Sequence, residues 1–156
     1  MRHAIYSPAR SQIWTAARFV AQSCPPRVLV VDDYMDSADA LAAFLDNVGF
    51  DTRVAYNGCD ALKIANEWRP DSVVLDIAMP GVSGLAVART LRESPATASV
   101  PLLAYTACDA DDNYEELRAS GFDAVCSKPV DPVMVVRILT LLLGSVAINR
   151  AHTLPS

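Results

Sequence analysis

At 156 residues with a net charge of -5 and a pI near 4.8, the chain has room for one domain with short extensions, and it lacks the clustered Lys and Arg of a broad nucleic-acid-binding surface. A hydrophobic fraction of 52% and a mean hydropathy of +0.22 exclude disorder of the whole chain. The longest apolar stretch, VMVVRILTLLLG, falls short of the roughly 18 residues of a membrane span and is broken by Arg137, so no membrane segment is expected.

Residues 1–26 carry Arg2, Arg10 and Arg18 without a single acid and end in Pro25-Pro26, which marks them as an appendage. Ile13, Trp14, Ala17, Val20 and Ala21 fall at helical spacing, so this extension is expected to be partly helical or disordered, frayed or docked on a partner. No continuous apolar region follows its basic residues, which argues against a secretory signal. Four cysteines, Cys24, Cys59, Cys108 and Cys126, are widely spaced with no C-x-x-C pair, a usage that suits reduced thiols in a cytoplasmic protein and suggests neither zinc nor a disulfide framework.

From Arg27 the texture becomes an alternation of short β-branched runs with longer helical patterns, the signature of βα units around a parallel sheet. Five runs read as strands: RVLVV, DTRVA, SVVLD, VPLLAYT and DAVCS. Four are dense in Val and Leu, as strands buried on both faces must be, and the more polar second suits an edge. Between them Leu41, Phe44, Leu45 and Val48 form one helical stripe, Ala61, Leu62 and Ala65 another, and Leu85, Ala88 and Leu91 a third. Gly49, Gly58 and Gly121 stand where helices end or turns begin, positions that favour cheap access to positive φ. A final helix from Val133 to Leu143 is apolar almost all round, so a face left over from the sheet is expected to dock a partner or form a homodimer. The pattern predicts a doubly wound α/β sheet with helices on both faces, whose ligands bind beyond the carboxyl ends of the strands.

At those ends the sequence places Asp32-Asp33 after the first strand, Asp76 after the third, Thr106 at the fourth and Lys128-Pro129 after the fifth. Carboxylates gathered in one crevice repel each other unless a cation joins them, and all-oxygen ligation suits Mg2+. One carboxylate can then attack a phosphoryl group whose equatorial charge is neutralised by the metal and by the Lys128 ammonium. Thr106 offers a hydroxyl able to donate to a phosphoryl oxygen. Taken singly, an acid at a strand end is more often a helix cap and a Lys a solvated surface group. Taken together, VVDD, LDIAMPGVSG, YTA and SKP occur in order, each at its own strand end.

On these motifs the chain resembles the response-regulator receiver family over residues 27–143, with residues 144–156 as a tail. The resemblance implies a flavodoxin-like five-stranded parallel sheet in the order 2-1-3-4-5. It implies Asp76 as phosphoacceptor, Asp33 as principal Mg2+ ligand, Asp32 as an acid holding the metal partly through water, and the Ala78 carbonyl as a further ligand. Thr106 matches the switch hydroxyl, Lys128 the phosphate-pairing lysine, and Pro129 the residue joined to it by a cis bond. The implied function is a phosphoacceptor signalling domain rather than an enzyme in the ordinary sense. It takes a phosphoryl group from a sensor histidine kinase or a histidine phosphotransfer protein, releases it slowly by self-catalysed hydrolysis, and signals to a downstream protein, with no nucleic acid or membrane as partner. Only the tail follows the last helix, so output is expected through binding another protein, and a free-standing regulator, a phosphorelay intermediate and a receiver cut from a hybrid kinase all fit the sequence.

Val125 departs from the family, which often carries a Tyr or Phe three residues before the lysine, and Phe122 sits too early to replace it. A signal is therefore expected to travel through the backbone from Ala107 to Tyr114. Two other readings compete. A phosphorylation-independent interaction module would keep the fold and drop the chemistry, yet all site positions are filled. A phosphatase of the haloacid-dehalogenase class would need a second Asp where Ala78 stands. GVSGL lacks the last Gly of a nucleophile elbow, so Gly81 and Gly84 belong to a turn. His3 and His152 lie in the extensions, and the acids Asp109, Asp111, Asp112, Glu115 and Glu116 suit the N-terminus of the fourth helix. Cys108 is read as an inert small residue.

Overall fold

Short β-branched runs separated by capped amphipathic stretches produce an alternating chain. In the computed structural model, which describes residues 11–15, 19–107, 114–129 and 131–144, the strands are β1 (Ser11–Ile13), β2 (Arg27–Val31), β3 (Asp51–Ala55), β4 (Ser72–Leu75), β5 (Leu102–Thr106) and β6 (Ala124–Ser127). The helices are α1 (Met35–Asn47), α2 (Gly58–Trp68), α3 (Gly84–Glu93), α4 (Tyr114–Ala119) and α5 (Pro132–Leu143). The side chains of Asn57, Ser83 and Asp131 accept from backbone N–H groups at the starts of α2, α3 and α5, and Pro132 opens α5 where its missing N–H costs nothing.

The sheet order is β1-β6-β5-β4-β2-β3, with β2 to β6 parallel. Without β1 this is the expected 2-1-3-4-5 arrangement, and the polar β3 is indeed at an edge. Period-two alternation sends Val28, Val30, Val74 and Leu103 to one face, where they pack with α1 and α5. Leu29, Val31, Val73, Leu75 and Leu102 go to the other, against α2, α3 and Leu117 of α4. Both faces are thus covered, which is why the central strands have no polar side.

The extension is where expectation and structure differ. Ser11–Ile13 is a sixth strand, antiparallel to β6 with Ser11 opposite Cys126 and Ile13 opposite Ala124. Ser11 and Ile13 are buried, whereas Val20, expected on the apolar stripe of a helix, is 77% exposed. The physical reason is the bare edge of β6, which offers unpaired backbone donors and acceptors that a helix of its own would leave unmet.

Two smaller expectations also change. Gly49 and Gly121 do have positive φ, but Gly58 does not. A Cβ at Gly58 would lie 2.8 Å from Val82 and 2.9 Å from Val87, so close packing rather than backbone conformation demands glycine there. On α5, Val135, Ile138, Leu139, Leu142 and Leu143 are buried, and the large apolar side chains left exposed are Val133 and Leu141. The helix packs on α1 and β6 together, so its free apolar face is narrower than its composition suggests. His3, His152, Cys108, Asp109, Asp111 and Asp112 lie outside the described residues, as does most of the tail.

Candidate functional site

Backbone hydrogen bonding runs one residue beyond β2, β4 and β6, and in each case that residue carries the chemistry. The Asp32 N–H donates to Ala55 O (3.1 Å), the Asp76 N–H to Val31 O (2.9 Å) and the Lys128 N–H to Thr106 O (2.7 Å). Neighbouring parallel strands therefore end in register, and their last side chains converge on one crevice. Oxygens of Asp32, Asp33 and Asp76 lie within 4.8 Å of one another. Asp32 and Asp76 are buried and Asp33 is exposed. Lys128 Nζ donates to Asp32 Oδ2 at 2.7 Å and lies 3.9 Å from Asp76 Oδ2. Thr106 is buried at the end of β5 beside Ser127, and Ala78 donates its N–H to Asp76 Oδ1 at 3.3 Å. The Lys128–Pro129 bond is cis, as the resemblance implies. The structure thus brings Asp32, Asp33, Asp76 and Lys128 together, with Thr106 and Ala78 on their flanks.

The two buried acids are not equivalent. Burial pushes the Asp76 carboxyl up to about 6, with the charge of Asp32 adding to it and Lys128 opposing. Burial also acts on Asp32, but the hydrogen bond and charge of Lys128 and the Tyr34 N–H outweigh it and hold that carboxyl below its ordinary value. Among the described residues Lys128 is the cation paired with this cluster of three acids, and its closer contact is to Asp32 rather than to Asp76. Three hard oxygen donors, one of them reluctant to ionise alone, fit a divalent cation such as Mg2+ and no soft metal.

Two positioning features escape sequence reading. The Tyr105 ring lies 5.1 Å from Lys128 Nζ, a cation–π contact that helps hold the ammonium over the acids. Tyr105 belongs to the YTA motif, but nothing in the motif says which neighbour it meets. Gly84, read as a turn residue, opens α3 against the loop after β4: a Cβ there would sit 2.2 Å from Asp76 O and 2.7 Å from Ile77 Cα. Its N–H donates to Ile77 O at 3.1 Å, so glycine lets α3 press on the segment carrying Asp76. Val125, the departure from the family's aromatic, is fully buried in the cluster that also contains Phe122 and Leu117.

Residues 28–140 match the response regulator receiver domain family. The chain is 31% identical over 120 residues to the polar-differentiation response regulator DivK of Brucella anthropi, covering 77% of this chain and 98% of that protein. The chemotaxis protein CheY4 of Vibrio cholerae superposes with a TM-score of 0.73 at 25% identity, over 76% of this chain and 98% of that one. The receiver domain of a sensor histidine kinase of Pseudomonas aeruginosa, at 24% identity, shares the fold with a TM-score of 0.71 over 76% of this chain and 98% of its own. That neighbour holds a magnesium ion in its active-site cleft. With the sheet order, the acidic crevice and these relatives agreeing, the chain belongs to the response regulator receiver domain family of two-component signalling.

Proposed function

We propose that Asp76 accepts the phosphoryl group in this receiver, with Mg2+ held by Asp32, Asp33, Asp76 and the Ala78 carbonyl. The observation that supports this most is the position of Asp76: buried, pushed up to about 6, within 4.8 Å of two other acids and 3.9 Å from Lys128. The bound cation would neutralise charge on the acids and on the incoming phosphoryl oxygens. An Asp76 carboxylate oxygen forms the new O–P bond as the P–N bond of a phosphohistidine breaks, and the imidazole leaves with its electron pair and takes up a proton. Lys128 then shifts its pairing toward the phosphoryl oxygens, and the Thr106 hydroxyl donates to one of them. Water later attacks phosphorus, returning the Asp76 carboxylate and inorganic phosphate; this self-catalysed step is slow. A sensor histidine kinase or histidine phosphotransfer protein is the donor, and a downstream protein reads the result.

The free thiols, Cys24 and Cys59 exposed and Cys126 buried, support a reducing compartment, and we place the chain in the cytoplasm. Among the described residues no helix is long and apolar enough to cross a membrane. A homodimer through α5 would rest on Val133 and Leu141, and sedimentation that stays monomeric with and without phosphorylation overturns it. The central reading is tested by intact-protein mass after incubation with acetyl phosphate and Mg2+. A phosphoryl-sized gain that needs both Mg2+ and Asp76 supports it. No gain under any condition supports the phosphorylation-independent interaction module instead.

A further inference from the structure

The N-terminal segment lies outside the family match, which begins at residue 28, yet it makes specific contacts with α4 and with β6, the strand that runs into the site. β1 pairs along the free edge of β6, and Ser11 Oγ lies 3.2 Å from Cys126 Sγ. The Trp14 N–H donates to Asp123 O at 2.8 Å, and Thr15 hydrogen-bonds the Asp123 carboxylate. Beyond the ladder, the Trp14 ring meets Tyr114 of α4 edge-on with centroids 5.6 Å apart, and the Arg118 guanidinium lies 5.7 Å from the Trp14 ring centroid. Further along, the Phe19 N–H donates to Leu142 O at 3.0 Å and the Gln22 N–H to Asp71 Oδ1 at 2.6 Å. It is a strap tied at several points, most of them along β6 and α4.

We propose that the edge of β6 together with α4 is a strand-accepting interaction surface, and that its resident occupant is the chain's own segment Ser11–Thr15, which phosphorylation at the site loosens. This rests on the receiver reading. One wall of the surface leads straight into the site: β6 runs directly into Lys128, whose N–H bonds Thr106 O, and Ser127 pairs with Thr106. A side-chain rearrangement at Thr106 and Lys128 therefore moves the strand on which β1 is laid. Val125, which faces Gln12 in the ladder, leaves no aromatic on β6 to relay that change, whereas Trp14 supplies one from the strap, in the same apolar cluster as Val125 and Tyr114. The contacts described belong to the unphosphorylated site, so a ligand of the site that disfavours them must, by reciprocity, be disfavoured by them. An edge strand released in this way opens β6 to pairing with an extended segment of a partner.

The test uses the full chain. Hydrogen exchange is followed on samples whose phosphoryl content is measured by mass, before and after treatment with acetyl phosphate and Mg2+. Amides of residues 11–15 and of β6 are expected to exchange about fivefold faster in the phosphorylated form, the low end of ordinary allosteric coupling, while β3 at the opposite edge stays unchanged. Trp14→Ala is expected to raise the rate of phosphorylation by a similar factor, and Trp14→Phe to restore the wild-type rate; unchanged β3 protection in both separates local release from general unfolding. Phosphorylated protein with an unchanged strap overturns the proposal, as does Trp14→Ala that loses strap protection yet phosphorylates at the wild-type rate. Absence of any mass gain overturns the receiver reading of the site and the coupling with it.

Discussion

Buried acids stand at both ends of this sheet, and they differ in who supplies their hydrogen-bond donors. At the amino ends of the strands, Asp71 accepts from the backbone N–H groups of Gln22 (2.6 Å) and Arg27 (2.8 Å). Asp123 accepts from the Leu102 N–H (2.8 Å), the Arg92 guanidinium (2.8 Å) and Thr15. At the carboxyl ends, Asp32 and Asp76 face each other and Asp33, with Lys128 as the cation in direct reach. Residue type and burial are alike in the two regions. The first set is closed by the protein and ties β2, β5 and β6 to the strap and to α3; the second is left open to a cation and an incoming group. An acid at a strand end becomes a functional candidate when the fold sets it against other acids in one crevice.

The contrast can be broken most sharply with one alanine at each end. Asp76→Ala is expected to abolish phosphoryl uptake while leaving the protein folded, read by intact mass and circular dichroism. Asp123→Ala leaves the Leu102 N–H without its acceptor and takes from Arg92 its carboxylate, while the guanidinium keeps the carbonyls of Ala98, Val100 and Gly121, so urea unfolding should show a loss of about 1–3 kcal/mol, the range for a buried donor left unsatisfied. Similar stability losses at both ends would erase the distinction.

The next expected effect is one of sign. The Asp76 carboxyl is raised from 3.8 to about 6, so the folded chain binds its proton more tightly than the unfolded chain does. Without metal, its contribution to stability is greatest below pH 4, falls as pH rises toward 6, and stays low above that. Asp76→Asn removes the titration, so in EDTA it should be more stable than wild type at pH 7.5 by about 2–3 kcal/mol, with the difference vanishing near pH 4. Thermal melts across that range check it, and wild type melting higher at pH 7.5 would refute it.

Addition of Mg2+ should close that gap by stabilising wild type, and Asp33→Asn should weaken the apparent Mg2+ affinity about tenfold or more, measured by titrating the melting temperature. The smallest effect belongs to Tyr105. Tyr105→Leu should slow phosphorylation by about two- to fivefold, the equivalent of a cation–π contact of about 0.5–1 kcal/mol, whereas Tyr105→Phe should keep the wild-type rate. An unaffected Leu variant would show that the Tyr105 ring does not position Lys128.

How far the chain could be read beforehand follows from which properties are local. The five parallel strands, their flanking helices and the polar β3 edge follow from periodicity and from the placement of glycines, which hydrogen bonding along the chain enforces segment by segment. That Asp32, Asp33, Asp76, Thr106 and Lys128 stand at strand ends follows from the same segmentation, because parallel strands with crossover helices must end on one side. Tertiary structure alone decided the rest. Ser11–Ile13 has a composition that suits several conformations, and the exposed edge of β6 selected a strand. Gly84 and Gly58 look like turn residues until the neighbouring backbone or side chains come within 3 Å. The apolar girth of α5 is absorbed by contacts with α1 and β6, and Tyr105 meets Lys128 only because β5 and β6 lie side by side. Local pattern sets which elements form and where their ends fall, whereas distances between residues far apart in the chain are set by packing, which no single segment encodes.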